Sequence, residues 1–399
     1  MMHFDESMRI LQEQTVSLHR VKRLYLMEAL GYVLAEDIVA DHNSPEYPTS
    51  GMDGYAIKHE DQALKRLRIA AINPAGSDKR YEVLGGTCVK TFTGSLMPEG
   101  ADTLIPIENV TVEGEEIVID EEVPCGFAVR EVGENYAKGD VLIEAGTRID
   151  FAHIGVLASL NIVHVDVYEK PRVSVLSTGS ELLDLGQMQT SPSQIRSSNN
   201  YTIEAIVRKY GGEPLQLGCI GDSKEAIVEA MRRACEASDI VVTTGGVSVG
   251  DFDFVKDVVY ELGFDVLFKG VRIKPGQHIM VARNGDTFIV ALPGFAYSAT
   301  VTALLYVVPL IARFQTIPSP LRYVKATLDE PFRKRAKKAE FTACNVRLID
   351  GAYHIDFKGK KLGTSAIMTN MLGPVGLLYT REDEGSKQAG ESVNVLLLD

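Results

Sequence analysis

Residues 243–253, TTGGVSVGDFD, combine types that could hold an anion. Val241 and Val242 read as the end of a buried strand, and Phe254 to Leu262 as a helix. A strand, a glycine-rich bend and a helix N-terminus aim bare N–H groups and the positive end of a helix dipole at one spot. Gly245 and Gly246 would let the backbone approach a ligand closely and take positive φ. Ser248 either donates to the anion or caps the helix. Asp251 and Asp253 would repel a bare phosphate, which implies a bridging divalent cation. Taken alone, the stretch reads equally well as a tight strand-to-helix turn.

Thr178, Gly179, Ser180 and Glu181 follow a second apolar strand, RVSVLS (172–177). Glu181 is expected near a helix start, where a carboxylate is stabilised in any case. Glu181, Asp222 and Asp253 should project over one sheet edge, and three carboxylates there repel unless a cation or donor groups compensate. Lys274 precedes Pro275-Gly276, and the proline stiffens its loop, which makes it the best candidate for a phosphate-binding lysine. Arg272 and Lys269 read as surface charge, and Ser298 as helix packing. Asp53 in Gly-Met-Asp-Gly-Tyr and Thr93 before Gly94 are, as residues, ordinary turn chemistry. Arg130 fits a solvated surface charge and Asn199 a helix N-cap. The histidines show no metal-ligand pairing.

A net charge of −13 argues against nucleic acid or anionic membrane as a partner, so an anionic substrate must be held by local basic groups. The chain of 399 residues exceeds one ordinary core and should form two to four domains. Five cysteines without a C-x-x-C pair exclude the usual zinc spacings and suggest reduced thiols. The N-terminus is acidic and lacks the apolar core of a signal peptide, which points to the cytoplasm. The apolar run 298–314 is too short and polar to span a bilayer, is interrupted by Pro309, and reads as a packed helix.

The elements that must position these groups follow from periodicity. Residues 4–35 read as helical, with a break at Gly31, and 41–58 as an interdomain loop. Residues 67–145 suggest a small inserted β domain or barrel, followed by a helix at 151–160 and a strand at 162–168. From 172 strands and helices alternate, which implies a parallel, doubly wound sheet with ligands at the strands' carboxyl ends. IPSP (317–320) reads as a linker before a β-rich terminal domain.

Ten segments carry a specific resemblance: EALGYVLAED (28–37), SGMDGYA (50–56), TGSLMPEGAD (93–102), REVGE (130–134), STGSEL (177–182), IRSSN (195–199), GDS (221–223), TTGGVSVGDFD (243–253), IKPG (273–276) and LPG (292–294). In this order they resemble the molybdenum insertase family, bacterial MoeA and the C-terminal half of gephyrin. The resemblance implies a multidomain fold: a MogA-like doubly wound α/β domain (171–316), an inserted β domain (44–139), an elongated linking domain (1–43 with 140–170) and a C-terminal β domain (317–399). It implies a homodimer, a site between the β insertion of one subunit and the α/β domain of the other, and a MogA-type adenylyltransferase as a partner. It also implies a reaction in which adenylylated molybdopterin is cleaved, molybdate is inserted at the dithiolene and AMP leaves, assisted by Mg2+.

Residue by residue, the resemblance gives Asp53 a catalytic role in positioning water or metal, and Thr93 a substrate contact. It makes Arg130, Thr178, Gly179, Ser180, Glu181, Asn199, Gly245, Gly246, Ser248, Lys274 and Pro293 substrate-binding, and Glu181, Asp222 and Asp253 metal-binding. Three departures stand out. Asn135 replaces an aspartate, Phe295-Ala296 replaces Asn-Pro, and Ala343 replaces the arginine of Phe-x-Arg. An arginine that could grip an oxyanion with two parallel bonds is thereby lost, and Lys337, Lys338 or Arg347 would have to replace it. A paralogue that binds a pterin or nucleotide phosphate without transferring molybdenum, and a gephyrin-like scaffold, are the alternative readings.

Overall fold

The computed structural model describes residues 1–16, 20–247 and 254–398. Contacts gather the chain into two compact units. One comprises Glu36–Ala145 with Phe151–Val163; the other comprises Met1–Ala35, Gly146–Asp150 and the chain from His164 on.

The first unit is built on a six-stranded sheet in the order Thr103–Pro106, Gly54–Ile57, Thr87–Thr91, Arg66–Asn73, Glu116–Ile119, Val110–Glu113. Its core is Tyr55, Ile57, Leu67, Cys88, Ile105 and Ile117. The expected loop 41–58 is corrected here, because Gly54–Ile57 is a central strand with all four residues buried. Its flanking proline and glycine residues mask a segment that gains hydrogen bonds from neighbours on both sides.

In the second unit the expected helix 4–35 stops at Glu13. Val21–Tyr25 is a strand paired antiparallel with His164–Tyr168, and Leu26–Ala29 is one 3₁₀ turn. The spacing of Leu24, Met27 and Leu30 mimics a helix, but a partner strand far along the chain satisfies this backbone instead. Arg20 locks the same region to the α/β sheet, donating to both carboxylate oxygens of Asp239 at 3.0 and 2.7 Å. Asp239 also accepts from the Arg172 N–H at 2.7 Å.

The α/β sheet runs in the order Glu213–Ile220, Arg172–Thr178, Ile240–Thr244, Thr287–Leu292, Met280–Asn284, Asp265–Lys269. The first four strands are parallel. The pairings of the last two strands are antiparallel, so the expected parallel, doubly wound sheet is mixed at this edge. Only Gly285 and Asp286 join the two hairpin strands, too short a link for a crossover. Alternate side chains serve opposite faces. Val173, Val175, Ile240 and Val242 pack with Ile203, Val207 and the 296–314 helix. Leu176 and Val241 pack with Ile227, Met231 and Val255.

The helix Ala296–Phe314 is, among the described residues, the one long and apolar enough to cross a membrane, yet 94% of its apolar window is buried inside the protein. Pro309 does not interrupt it, contrary to expectation. A π-helical turn at Ala303–Val307 precedes it, because proline has no N–H for the Leu305 carbonyl. The terminal strands Ala339–Ile349, Ala352–Asp356, Tyr323–Leu328, Ser392–Leu397 and Val375–Thr380 pair in that order. A further pairing between the first and last closes the ring. Ile273–Lys274 adds to it in parallel, with Lys274 opposite Glu340.

Asp239→Ala removes two of the acceptors of the Arg20 guanidinium, which keeps Glu169 at 3.0 Å, and frees the Arg172 N–H. It should lower the unfolding free energy by about 2–3 kcal/mol, read by urea denaturation. An unchanged midpoint would remove this clamp from the account.

Candidate active site

After Arg172–Thr178 the chain passes to Glu213–Ile220 on one side and then crosses to Ile240–Thr244 on the other. The carboxyl ends of Arg172–Thr178 and Ile240–Thr244 therefore flank the point where the winding reverses, where ligands bind in such sheets. Gly245 and Gly246 turn back here with φ of 87° and 66°. A Cβ on Gly245 would lie 2.7 Å from the Thr178 carbonyl oxygen, and one on Gly246 would lie 2.6 Å from Val255 Cγ2. Below the turn Ser177 Oγ bonds Asn200 Oδ1 at 2.6 Å and Thr244 Oγ1 at 2.7 Å, fixing both strand ends to the helix Asn199–Lys209. Among the described residues the buried hydroxyls of Thr178 and Thr243 have no partner. An orphaned hydroxyl against a side-chain-free turn fits a ligand oxygen there.

Neighbouring loops are tied to the same edge. Gly179 N donates to Ile220 O at 3.1 Å, and Gly245 N to Leu292 O at 3.2 Å. Ser180 N donates to Asp222 Oδ2 at 2.9 Å and Asp222 N to Ser180 Oγ at 3.1 Å. Glu181 is exposed, with its carboxylate folded against Gly179. No helix starts beside it, contrary to expectation: Leu182–Leu183 pairs with Ile195–Arg196 as short strands, and the helix begins at Asn199. Asn199 is the first helical residue and not the cap. Its Nδ2 donates to Gly294 O at 2.8 Å and joins two loops of the edge. Ser248 and Asp253 lie outside the described residues. Among the described residues no three His, Cys, Asp or Glu side chains converge as a cation site. Asp222 and Glu181 remain as hard oxygen donors on adjoining loops.

Lys274 enters a separate cavity of about 330 Å³ between the 296–314 helix and the terminal sheet. Its Nζ lies 3.2 Å from Glu340 Oε1. Gly276 has φ of 95° and faces Thr302, where a Cβ would approach Cγ2 to 2.3 Å. Pro293, Phe295 and Ala343 line the same cavity, and so does Ser298, which the sequence left as packing. Tyr297 Oη donates to Phe341 O at 3.0 Å and accepts from Ala343 N at 2.8 Å, fixing the strand where arginine was expected. Sequence reading missed Gln277, His278 and Lys361, which also line it. The first two simply continue the IKPG motif, and Lys361 opens a Lys-Leu-Gly-Thr-Ser run. Arg272 binds Glu382 at 2.8 Å, a structural pairing.

In the first unit Asp53 Oδ1 accepts from Thr93 N and Thr93 Oγ1, both at 2.8 Å. These two bonds hold the Asp53 carboxyl below the ordinary aspartate range, so it stays ionised further into acid. Gly94 N donates to Ser50 O and Gly51 N to Ala128 O, so the loops of Asp53, Thr93 and Arg130 share one rim. Arg130 pairs with Glu134 at 3.2 Å. Asn135 is a turn residue here, its N–H on Ser44 O at 2.8 Å.

Thr93→Val removes the hydroxyl donor and keeps the backbone one. The Asp53 pKa should rise toward that of free aspartate, read by an NMR titration of the side-chain carboxylate. An unmoved titration would contradict the assigned cause.

The residues 2–161 match the model of the MoeA N-terminal region (domain I and II), and 174–313 match that of a probable molybdopterin binding domain. A molybdopterin molybdenumtransferase of Haemophilus influenzae is 30% identical over 99% of this chain and 98% of its own length. One from Bacillus subtilis is 31% identical, over 94% and 89%. The crystal structure of a molybdopterin biosynthesis MoeA protein from Pyrococcus horikoshii superposes over the whole of both chains with a TM-score of 0.85 at 27% identity. With the fold, the motifs and near full-length likeness in agreement, the chain belongs to the molybdopterin molybdenumtransferase (MoeA) family.

Proposed function

We propose that this chain is the transferase of molybdenum cofactor biosynthesis that inserts molybdenum from molybdate into adenylylated molybdopterin and releases AMP. The observation that carries the reading is the side-chain-free Gly245–Gly246 turn against the orphaned Thr178 hydroxyl at the switch point, in a chain of this family. The Gly246 N–H and the Thr178 hydroxyl take the phosphate, while Ser180 and Asp222 hold their two loops together. The Lys274 cavity takes the oxyanion. Asp53, kept ionised by Thr93, orients the nucleophile or the metal-bound phosphate, and Arg130 contacts the substrate anion.

Glu181 and Asp222, with Asp253, would hold a Mg2+ ion, since hard carboxylate oxygens suit that cation; bound there, it would offset negative charge on the phosphoanhydride. Water adds across the phosphoanhydride to leave the pterin phosphate and AMP, and the two dithiolene thiols bond molybdenum as one molybdate oxygen departs as water with their two protons. A homodimer acting in the cytoplasm, supplied by a MogA-type adenylyltransferase, and the division at residues 43, 139, 170 and 316 complete the proposal.

Full-length protein incubated with adenylylated molybdopterin should release AMP only with both molybdate and magnesium present, and Asp53→Ala should slow release at least a hundred-fold, as loss of a positioned acid–base group does. AMP release at the same rate without molybdate would exclude insertion.

A further inference from the structure

The cavity beside Lys274 is cationic although Ala343 stands where the resemblance led us to expect arginine. Three lysines line it, Lys274, Lys338 and Lys361, together with Gln277, His278 and one carboxylate, Glu340. Each lysine comes from a different part of the chain. Lys274 follows the hairpin edge of the α/β sheet, Lys338 precedes the first strand of the terminal ring, and Lys361 stands in the loop after Asp356. Glu340 is 5% exposed and already serves Lys274 and the Arg335 N–H. Lys338 Nζ donates to Gln277 Oε1, and Gln277 Nε2 meets His278 Nε2 at 2.8 Å. Among the described residues Lys361 Nζ has no protein acceptor, although its backbone is fixed by Asn370 Oδ1 at 2.9 Å. Arg335 lies against Gly363 and braces the same loop. Among the charged residues that line the cavity, three lysines against one glutamate leave two positive charges, the complement of a tetrahedral dianion.

The residues named as replacements for the arginine divide clearly. Arg347 is committed to Asp329 and Asp356, at 2.6 and 3.0 Å, and Lys337 is absent from the cavity lining. Only Lys338 stands in the right place, and Lys361 joins it.

We infer that Lys338 and Lys361 are the oxyanion-specificity residues of this chain, holding the dianion by two mobile point charges in place of an arginine fork. The inference rests on the reading of the cavity as the oxyanion subsite. A planar guanidinium matches two oxygens at fixed spacing, whereas an ammonium selects for charge and little else. The cavity therefore admits tetrahedral dianions as a class, and sulfate competes with molybdate.

Calorimetric titration of full-length, nucleotide-free protein with molybdate, tungstate and sulfate at fixed ionic strength tests this. Lys338→Ala and Lys361→Ala should each weaken molybdate binding about ten-fold or more, the loss of one charge-assisted hydrogen bond. Lys337→Ala should leave it unchanged, and sulfate should displace molybdate from the wild type. Lys361 is an exposed loop residue, so its variant serves if Lys338→Ala fails to fold. Undiminished binding in Lys361→Ala, an equal loss in Lys337→Ala, or no displacement by sulfate would each overturn the inference. Molybdate-dependent AMP release insensitive to both lysines would sink this inference and spare the proposed function. Lysine-dependent binding without any AMP release would do the reverse.

Discussion

The absence of side chains at Gly245 and Gly246 is the constraint on which the α/β half of the protein depends. With a Cβ at either position the turn would collide with the Thr178 carbonyl or with Val255, and the two strand ends would have to separate. The sheet pays for that proximity by burying all five residues of Ile240–Thr244 and by tying Ser177, Thr244 and Asn200 into one hydroxyl–amide network. Each tie brings another loop to the same edge, so the Thr-Gly-Ser-Glu and Gly-Asp-Ser motifs become neighbours without being near in sequence. The edge then presents the side-chain-free Gly245–Gly246 turn and the Thr178 hydroxyl, local groups that suit an anion in a chain of net charge −13, where the global field gives no help.

The terminal ring has a different logic. It joins the α/β sheet's neighbourhood through a two-residue strand, Ile273–Lys274, whose register places Lys274 opposite Glu340. That pairing holds the lysine at 3.2 Å from a buried carboxylate and sets the cavity wall. The buried helix Ala296–Phe314 supplies the facing wall, and its π turn arises from Pro309. The positive lining thus comes from segments far apart in the chain. The family likeness extends over this region too, so Ala343, where the resemblance led us to expect arginine, stands in a retained architecture.

Legibility in the sequence followed the range of the interactions. The α/β strands and helices could be read within a residue or two, because each buries a local apolar run whose period sets its type. Val21–Tyr25 could not, since its hydrogen bonds come from His164–Tyr168, far along the chain. The edge strand Asp265–Lys269 was missed because it is short and half-exposed. Asp53 and Lys274 were visible through motifs, and their partners Thr93 and Glu340 give them physical reasons for their states. Lys361 was invisible, because nothing local marks a loop lysine as facing a cavity.

The most direct measurement is equilibrium binding of AMP to full-length protein carrying Gly246→Ala, beside wild type and Asp53→Asn. If the side-chain-free turn holds the nucleotide phosphate, AMP affinity should fall by at least ten-fold in Gly246→Ala, the loss of about one charge-assisted hydrogen bond, while Asp53→Asn binds as wild type does. Wild-type affinity in a correctly folded Gly246→Ala protein would contradict the assignment of that turn.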